Sequence, residues 1–273
     1  MLLTIDDYLL EEWWVRLFED AMAEFGVRGP NEDVNPVFAY LVVLHVLDLP
    51  AFFASIDPAA VEHGLLNGEL ELERRSDRGL RPGRRYRVEV ALPSVEEKRG
   101  RTLGDFRLVT VEATITGEDC EIRVLNRIVF AGPTRAEARA PAPRLPRTSE
   151  LPRFELPFVT AEGAKLVVAL TDDPSPLHWD EDAVRARGLG SRPINPGSNA
   201  AAYALRMVRD AVGSYDRIRA FRMRFIDRVL VGDRLVAGGL NDGTVWLERI
   251  GPDGAETVLE GTVEVVARKH ATV

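Results

Sequence analysis

The chain has 273 residues, 35 basic and 43 acidic, for a formal net charge of −8 and a sequence pI of about 5.2. That balance repels phosphate backbones and anionic lipid at long range, which excludes nucleic acid and membrane surfaces as expected partners. A hydrophobic fraction of 45% supports a packed core in one large or two modest domains, and the single Cys120 leaves no internal disulfide and suits a reducing compartment.

The opening residues, MLLTIDDYLLEEWW, carry acids where a secretory signal needs a basic stretch, so a cytoplasmic protein is expected. Within the first 30 residues apolar side chains recur at helical spacing, and Leu9, Trp13, Leu17 and Met22 fall near one predicted face. A second helix is predicted from Asn35-Pro36, with asparagine as cap and proline at the first helical position. It is apolar nearly all round as far as Asp48, which predicts burial. Its apolar run, residues 37–47, is far short of the roughly 20 residues a membrane span needs.

From Leu65 to Phe130 the period changes to two. Four strands are predicted in LLNGELELERR, RYRVEVALPS, FRLVTVEATIT and EIRVLNRIVFAG, separated by Arg-Pro-Gly, an Arg-rich turn and Gly-Glu-Asp. Residues 132–153 are proline-rich and charged, a linker by composition; extended, it could cross roughly 60 Å. It divides the chain into a first half, 1–131, and a second, 154–273. The second half opens with a strand-like AKLVVAL, continues through LTDDPSPLHW, and then gives a helix from about Ser198 to Val212 closing on Gly213. Four further strands are predicted in RIRAFRMRFID, RLVAGGL, TVWLERI and ETVLEGTVEVVA. Asn35-Pro36 and Asn195-Pro196 both precede a main helix, and the turns LRPGRRY and VLVGDRL both precede the second strand of a set. The order predicts two copies of one α+β unit.

The segment from Leu170 to His178, LTDDPSPLH, resembles the signature of the MaoC-like dehydratases, also known as (R)-specific enoyl-CoA hydratases or hydratase 2. That family's pattern reads Ser/Thr-Gly-Asp-x-Asn-Pro-Leu-His, followed by Arg-Pro-Ile-Leu-His-Gly at a helix start. The second part appears here as Arg192-Pro193-Ile194-Asn195-Pro196-Gly197. Asp172 stands in place of the pattern's glycine, Ser175 in place of its asparagine, and Asn195-Pro196 in place of Leu-His. The resemblance implies a double hotdog: two long central helices, each wrapped by an antiparallel sheet, forming a pseudo-dimer in one chain. It also implies a lyase that interconverts trans-2-enoyl-CoA and (R)-3-hydroxyacyl-CoA, in fatty-acid or steroid side-chain metabolism, with no cofactor and no metal.

On that resemblance Asp173 is the general base and proton carrier, His178 orients and polarises the water, and the Gly197 N–H stabilises the enolate oxygen, with Ser175 and Asn195 as substrate contacts. On a regular helix residues five apart diverge by about 140°, so the prolines of this segment must bend the chain to bring Asp173 and His178 together. Asp180, Glu181 and Asp182 are read as capping and solvating a short helix through Arg187. His45 is read as a core residue, while His63 and His270 fall in a loop and in the tail. Zinc is not expected, since His178 has no second ligand at metal spacing. Arg185, Arg187, Arg192 and the basic run of residues 217–224 are available to coenzyme A phosphates. YLLEEWWVRLFED, ahead of Asn35, has acids but no histidine, so the first half is expected to lack a site. Its flank of Phe38, Leu41, Leu44, Phe52 and Phe53 is a candidate for the acyl tail. Alternative readings are a non-catalytic acyl-CoA-binding member, a partner subunit of a heteromeric dehydratase, and a hotdog thioesterase. The substrate could ride on coenzyme A or on an acyl-carrier protein, and a homodimer is compatible with the layout.

Overall fold

The computed structural model describes residues 3–22, 33–56, 65–100, 104–131, 145–173 and 175–267. His63, His270, Pro174 and residues 132–144 of the expected linker lie outside them.

The first half runs β1 (Leu3–Leu9), α1 (Glu12–Ala21), α2 (Phe38–Val46), α3 (Leu49–Ile56), β2 (Leu65–Arg74), β3 (Arg85–Val90), β4 (Ser94–Gly100), β5 (Gly104–Thr116) and β6 (Glu121–Ala131). The second runs β7 (Phe154–Leu156), α4 (Ala161–Thr171), α5 (Glu181–Ala186), α6 (Gly197–Val212), β8 (Ile218–Phe225), β9 (Arg234–Gly239), β10 (Thr244–Gly251) and β11 (Gly254–Val265). All the pairings are antiparallel, and one sheet of eleven strands results, ordered β1-β3-β5-β6-β2-β8-β11-β10-β9-β7 with β4 off this path on β5. The order reads the same from either edge: β1, β3, β5, β6 and β2 of one half answer to β7, β9, β10, β11 and β8 of the other. The two sheets join where Glu69–Glu73 of β2 pairs with Ala220–Arg224 of β8.

Alternation on the strands explains the core. Ile122, Val124, Ile128 and Phe130 on β6 and Phe221 and Met223 on β8 face inward and are buried, together with the helices α2 and α6. In α6 the run Ala200-Ala201-Ala202 is buried, and its small side chains keep the helix close to the sheet. Gly213 ends α6 in the left-handed conformation, as predicted. Both turns that suggested a duplication place their glycine at positive φ, Gly83 at 72° and Gly232 at 88°.

Several elements differ from expectation. Residues 3–9 form a strand on β3, and α1 buries Trp14, Val15 and Phe18 while Trp13 is 57% exposed. The run AKLVVAL is helical, not extended: Thr160 caps α4 by accepting the Gly163 N–H at 3.0 Å. Most of the Arg-rich turn is the strand β4, and residues 101–103 lie outside the described residues. The first central helix is not one long rod, because α2 and α3 meet at a bend of 77° after Leu47-Asp48. No single helix among the described residues is long and apolar enough to cross a membrane.

Residues 145–153 lie over β9 and β10. The Arg147 N–H donates to the Glu248 carboxylate, its guanidinium covers the Trp246 ring, and the backbone N–H groups of Glu150 and Leu151 donate to Gly239 O.

Candidate active site

α4 ends at Asp172, whose φ of 49° and ψ of 35° are left-handed. This is the position that the resemblance fills with glycine, and the positive φ is the physical reason a glycine suits it. The reversal turns Asp173 out of the helix. Its Oδ1 accepts the Ser175 N–H at 2.8 Å, and Pro176–His178 then form a 3-10 turn. Five residues on, His178 Nε2 comes back to 3.5 Å from Asp173 Oδ2, with side-chain exposures of 16% and 23%. The bent segment thus brings together the two side chains that a continuous helix would separate.

The other motif is tied to this turn. Ile194 N–H donates to Leu177 O at 2.8 Å, and Ile194 O lies 2.7 Å from His178 Nδ1. A carbonyl can only accept, so Nδ1 carries a proton, and in the neutral ring Nε2 would turn a lone pair toward the carboxylate. Burial works against the charged imidazolium, but the Asp173 carboxylate and the Ile194 carbonyl outweigh it and raise the His178 pKa above its ordinary value.

Three residues after Ile194, Gly197 opens α6. Its N–H has no acceptor among the described residues. The first half shows the contrast, because there Asn35 Oδ1 accepts the Val37 N–H at the corresponding step. Asn195 instead turns its Oδ1 to Asn199 Nδ2 at 3.0 Å and donates to Pro196 O. The Gly197 N–H is left at the positive end of the helix dipole, suited to an oxyanion.

A polar cluster from the first half, with no counterpart in the sequence expectations, lies at the opening of α6. Tyr40 on α2 donates its hydroxyl to Asn67 Oδ1 at 3.2 Å or Asn126 Oδ1 at 3.4 Å. Burial, and after it the charge of Asp173, push the Tyr40 pKa above the usual phenol range. A Cβ built on Gly197 would lie 2.5 Å from Asn67 Nδ2. The cluster therefore touches the opening of α6 and feels Asp173. Asn126 had a signal, being a polar residue on the buried face of β6. Asn67 had none, because its direction depends on a register shift between Asn67 and Glu69.

Asn195 is buried, while Ser175 is partly exposed beside Asp173. Asp180 caps α5 through Asp182 N and Ala183 N, and Arg185 pairs with Glu181 and Asp182. Arg192 pairs with Asp233. His45 is exposed and lies against Trp14 and Tyr8, not in the core. Phe38 and Leu41 are fully buried, and Phe38 is occupied by contacts to Trp14 and Phe18.

Over nearly its whole length the chain is similar to known structures. It matches HtdX of Mycobacterium tuberculosis with a TM-score of 0.71 and 16% identity, over 97% of this chain and 100% of that one. A MaoC-like dehydratase from Phytophthora capsici gives 0.70 and 16%, over 97% and 95%. A Mycobacterium tuberculosis protein described as having a double hotdog fold gives 0.55 and 14%, over 96% and 94%. The fold is a double hotdog. Residues 147–249, which hold Asp173, His178 and Gly197, match the family described as MaoC like domain, so the second half of the chain carries a MaoC-like domain. No curated protein sequence matches the chain.

Proposed function

We propose that the chain is a hydratase and dehydratase that interconverts a trans-2-enoyl thioester and its (R)-3-hydroxyacyl thioester, on coenzyme A or an acyl carrier, in the cytoplasm. The observation that carries this reading is the Asp173–His178 pair at 3.5 Å, tied through Ile194 to the glycine that opens α6. Asp173 takes a proton from water as the water oxygen bonds to Cβ of the substrate. Electrons move to the thioester oxygen, where the Gly197 N–H holds the enolate, and the proton returns from Asp173 to Cα. His178 orients and polarises the water. The reverse sequence expels water. Ser175 serves here mainly to hold Asp173 in place through its backbone N–H.

The division of the chain is part of the same proposal: residues 1–131 are a non-catalytic half, 132–153 a linker, and 154–273 the catalytic half. Loss of enoyl-thioester absorbance on mixing with the protein tests the reading. Asp173→Asn and His178→Ala should each lower hydration by about 10²–10⁴-fold with circular dichroism unchanged. Normal turnover in either folded variant would refute the mechanism. Release of free thiol without hydration would identify a thioesterase instead, and binding of acyl-CoA with neither reaction would identify a non-catalytic member.

A further inference from the structure

We infer that the side-chain amide of Asn67, supplied by the first half, is a second hydrogen-bond donor to the substrate's thioester oxygen, beside the Gly197 N–H; this rests on the hydratase reading. The orientation of the amide follows from its neighbours. Asn126 Nδ2 donates to Glu69 O at 3.1 Å, and the same NH₂ group lies 3.4 Å from Asn67 Oδ1. The Tyr40 hydroxyl is 3.2 Å from that same oxygen. Two donors on one side of Asn67 fix its oxygen there and turn its NH₂ the other way. On that other side lies Gly197, so close that a Cβ would meet Asn67 Nδ2 at 2.5 Å and Asn67 Cγ at 3.2 Å. Neither the Asn67 NH₂ nor the Gly197 N–H has an acceptor among the described residues. Two adjacent, unspent donors, one of them a backbone group at a helix start, make a fork for a single oxygen that gains charge during reaction.

Among the described residues no asparagine of the second half faces the other helix in this way. Where Asn67 near the start of β2 lies beside the start of α6, β8 begins with Ile218, and where β6 places Asn126 in the core, β11 places Val258, Leu259 and Val263. Tyr40 and Asn126 are positioning residues: they hold the amide and do not touch the substrate. The role assigned to Asn67 also gives a use to the polar cluster of Tyr40, Asn67 and Asn126 in the first half, which holds no Asp–His pair among the described residues.

The test separates this contact from the hydratase reading. A conjugated 2,4-dienoyl-CoA is bound to the Asp173→Asn protein, and the shift of its absorbance maximum to longer wavelength is read as a measure of polarisation at the thioester oxygen. Adding Asn67→Ala, or the near-isosteric Asn67→Asp, should largely abolish that shift while the CoA ester still binds. In the protein with Asp173 intact, the same substitutions should lower kcat by about 10²–10³-fold with KM little changed, the mark of a contact that strengthens in the transition state. Tyr40→Phe should give a smaller loss by freeing the amide. An undiminished shift and unchanged kcat in folded Asn67→Ala would overturn the inference and leave the roles of Asp173 and His178 standing. A shift that depends on Asn67 in a protein that does not hydrate enoyl thioesters would support the contact and sink the hydratase reading. A bound dienoyl-CoA with no shift in either background would overturn the inference.

Discussion

His178 stands between two acceptors, the Asp173 carboxylate and Ile194 O, and its pKa is raised in consequence. A folded-state pKa above that of the unfolded chain means that protonation favours the fold. The contribution of His178 to stability is therefore complete below the ordinary imidazole range and fades as pH rises through the raised value. The difference in Tm between the native protein and His178→Gln should be larger at mildly acid pH and shrink toward alkaline pH. Gly197 is constrained in a different way. Its missing side chain leaves room for Asn67, so Gly197→Ala should cost about 1–3 kcal/mol in denaturant unfolding and lose activity by displacing the amide. The approach of Asp173 to His178 was legible in the sequence because the short segment between them fixes their register. Asn67 was not, because a side chain brought in from the far half through a strand irregularity leaves no local spacing to read.

The elements were legible where they carried a clear period or a strong stop, as in β8 to β11 and in α6 with its terminal Gly213. They failed where the signal was short. The run AKLVVAL is as compatible with a buried strand as with a helix, and the deciding feature was the cap at Thr160, followed by Glu162 in the first turn. Reading it as a helix changes the comparison of the halves. In chain order α1 corresponds to α4 itself, so the first-half counterpart of the Asp173–His178 segment follows α1 and falls largely in residues 23–32, outside the described residues. The two helices also pack together. Trp14 Nε1 on α1 donates to Leu170 O on α4 at 3.1 Å, and a Cβ on Gly163 would meet Ala21 O at 2.8 Å. Trp14→Phe should cost about 1 kcal/mol through the lost bond. Gly163→Ala should cost about 1–3 kcal/mol by forcing α1 and α4 apart. Since Leu170 lies just ahead of Asp172, Trp14→Phe should also loosen the Asp173–His178 segment, seen as faster amide exchange at Asp173.

At the scale of the whole molecule, the mirrored strand order shows that the duplication read from Asn-Pro and the two glycine turns reflects the architecture, although those signals did not show that the two sheets fuse. The halves differ at the start of the main helix. In the first, Asn35 satisfies the Val37 N–H and also donates to Ala202 O and Tyr215 Oη, which fills the place where a second substrate would reach. Titration with an unreactive acyl-CoA analogue should therefore saturate at one equivalent per chain, and two equivalents would count against this assignment. The pairing of β2 with β8 has a further consequence. Separated, each of these strands would be an open sheet edge able to recruit other chains. Covalent continuity makes their pairing unimolecular, so mass action does not govern it. The seam should hold at any dilution, and lowering the protein concentration about a hundredfold should leave its melting temperature unchanged. The fused chain thus keeps two sheet halves together at trace abundance, where two separate subunits would drift apart.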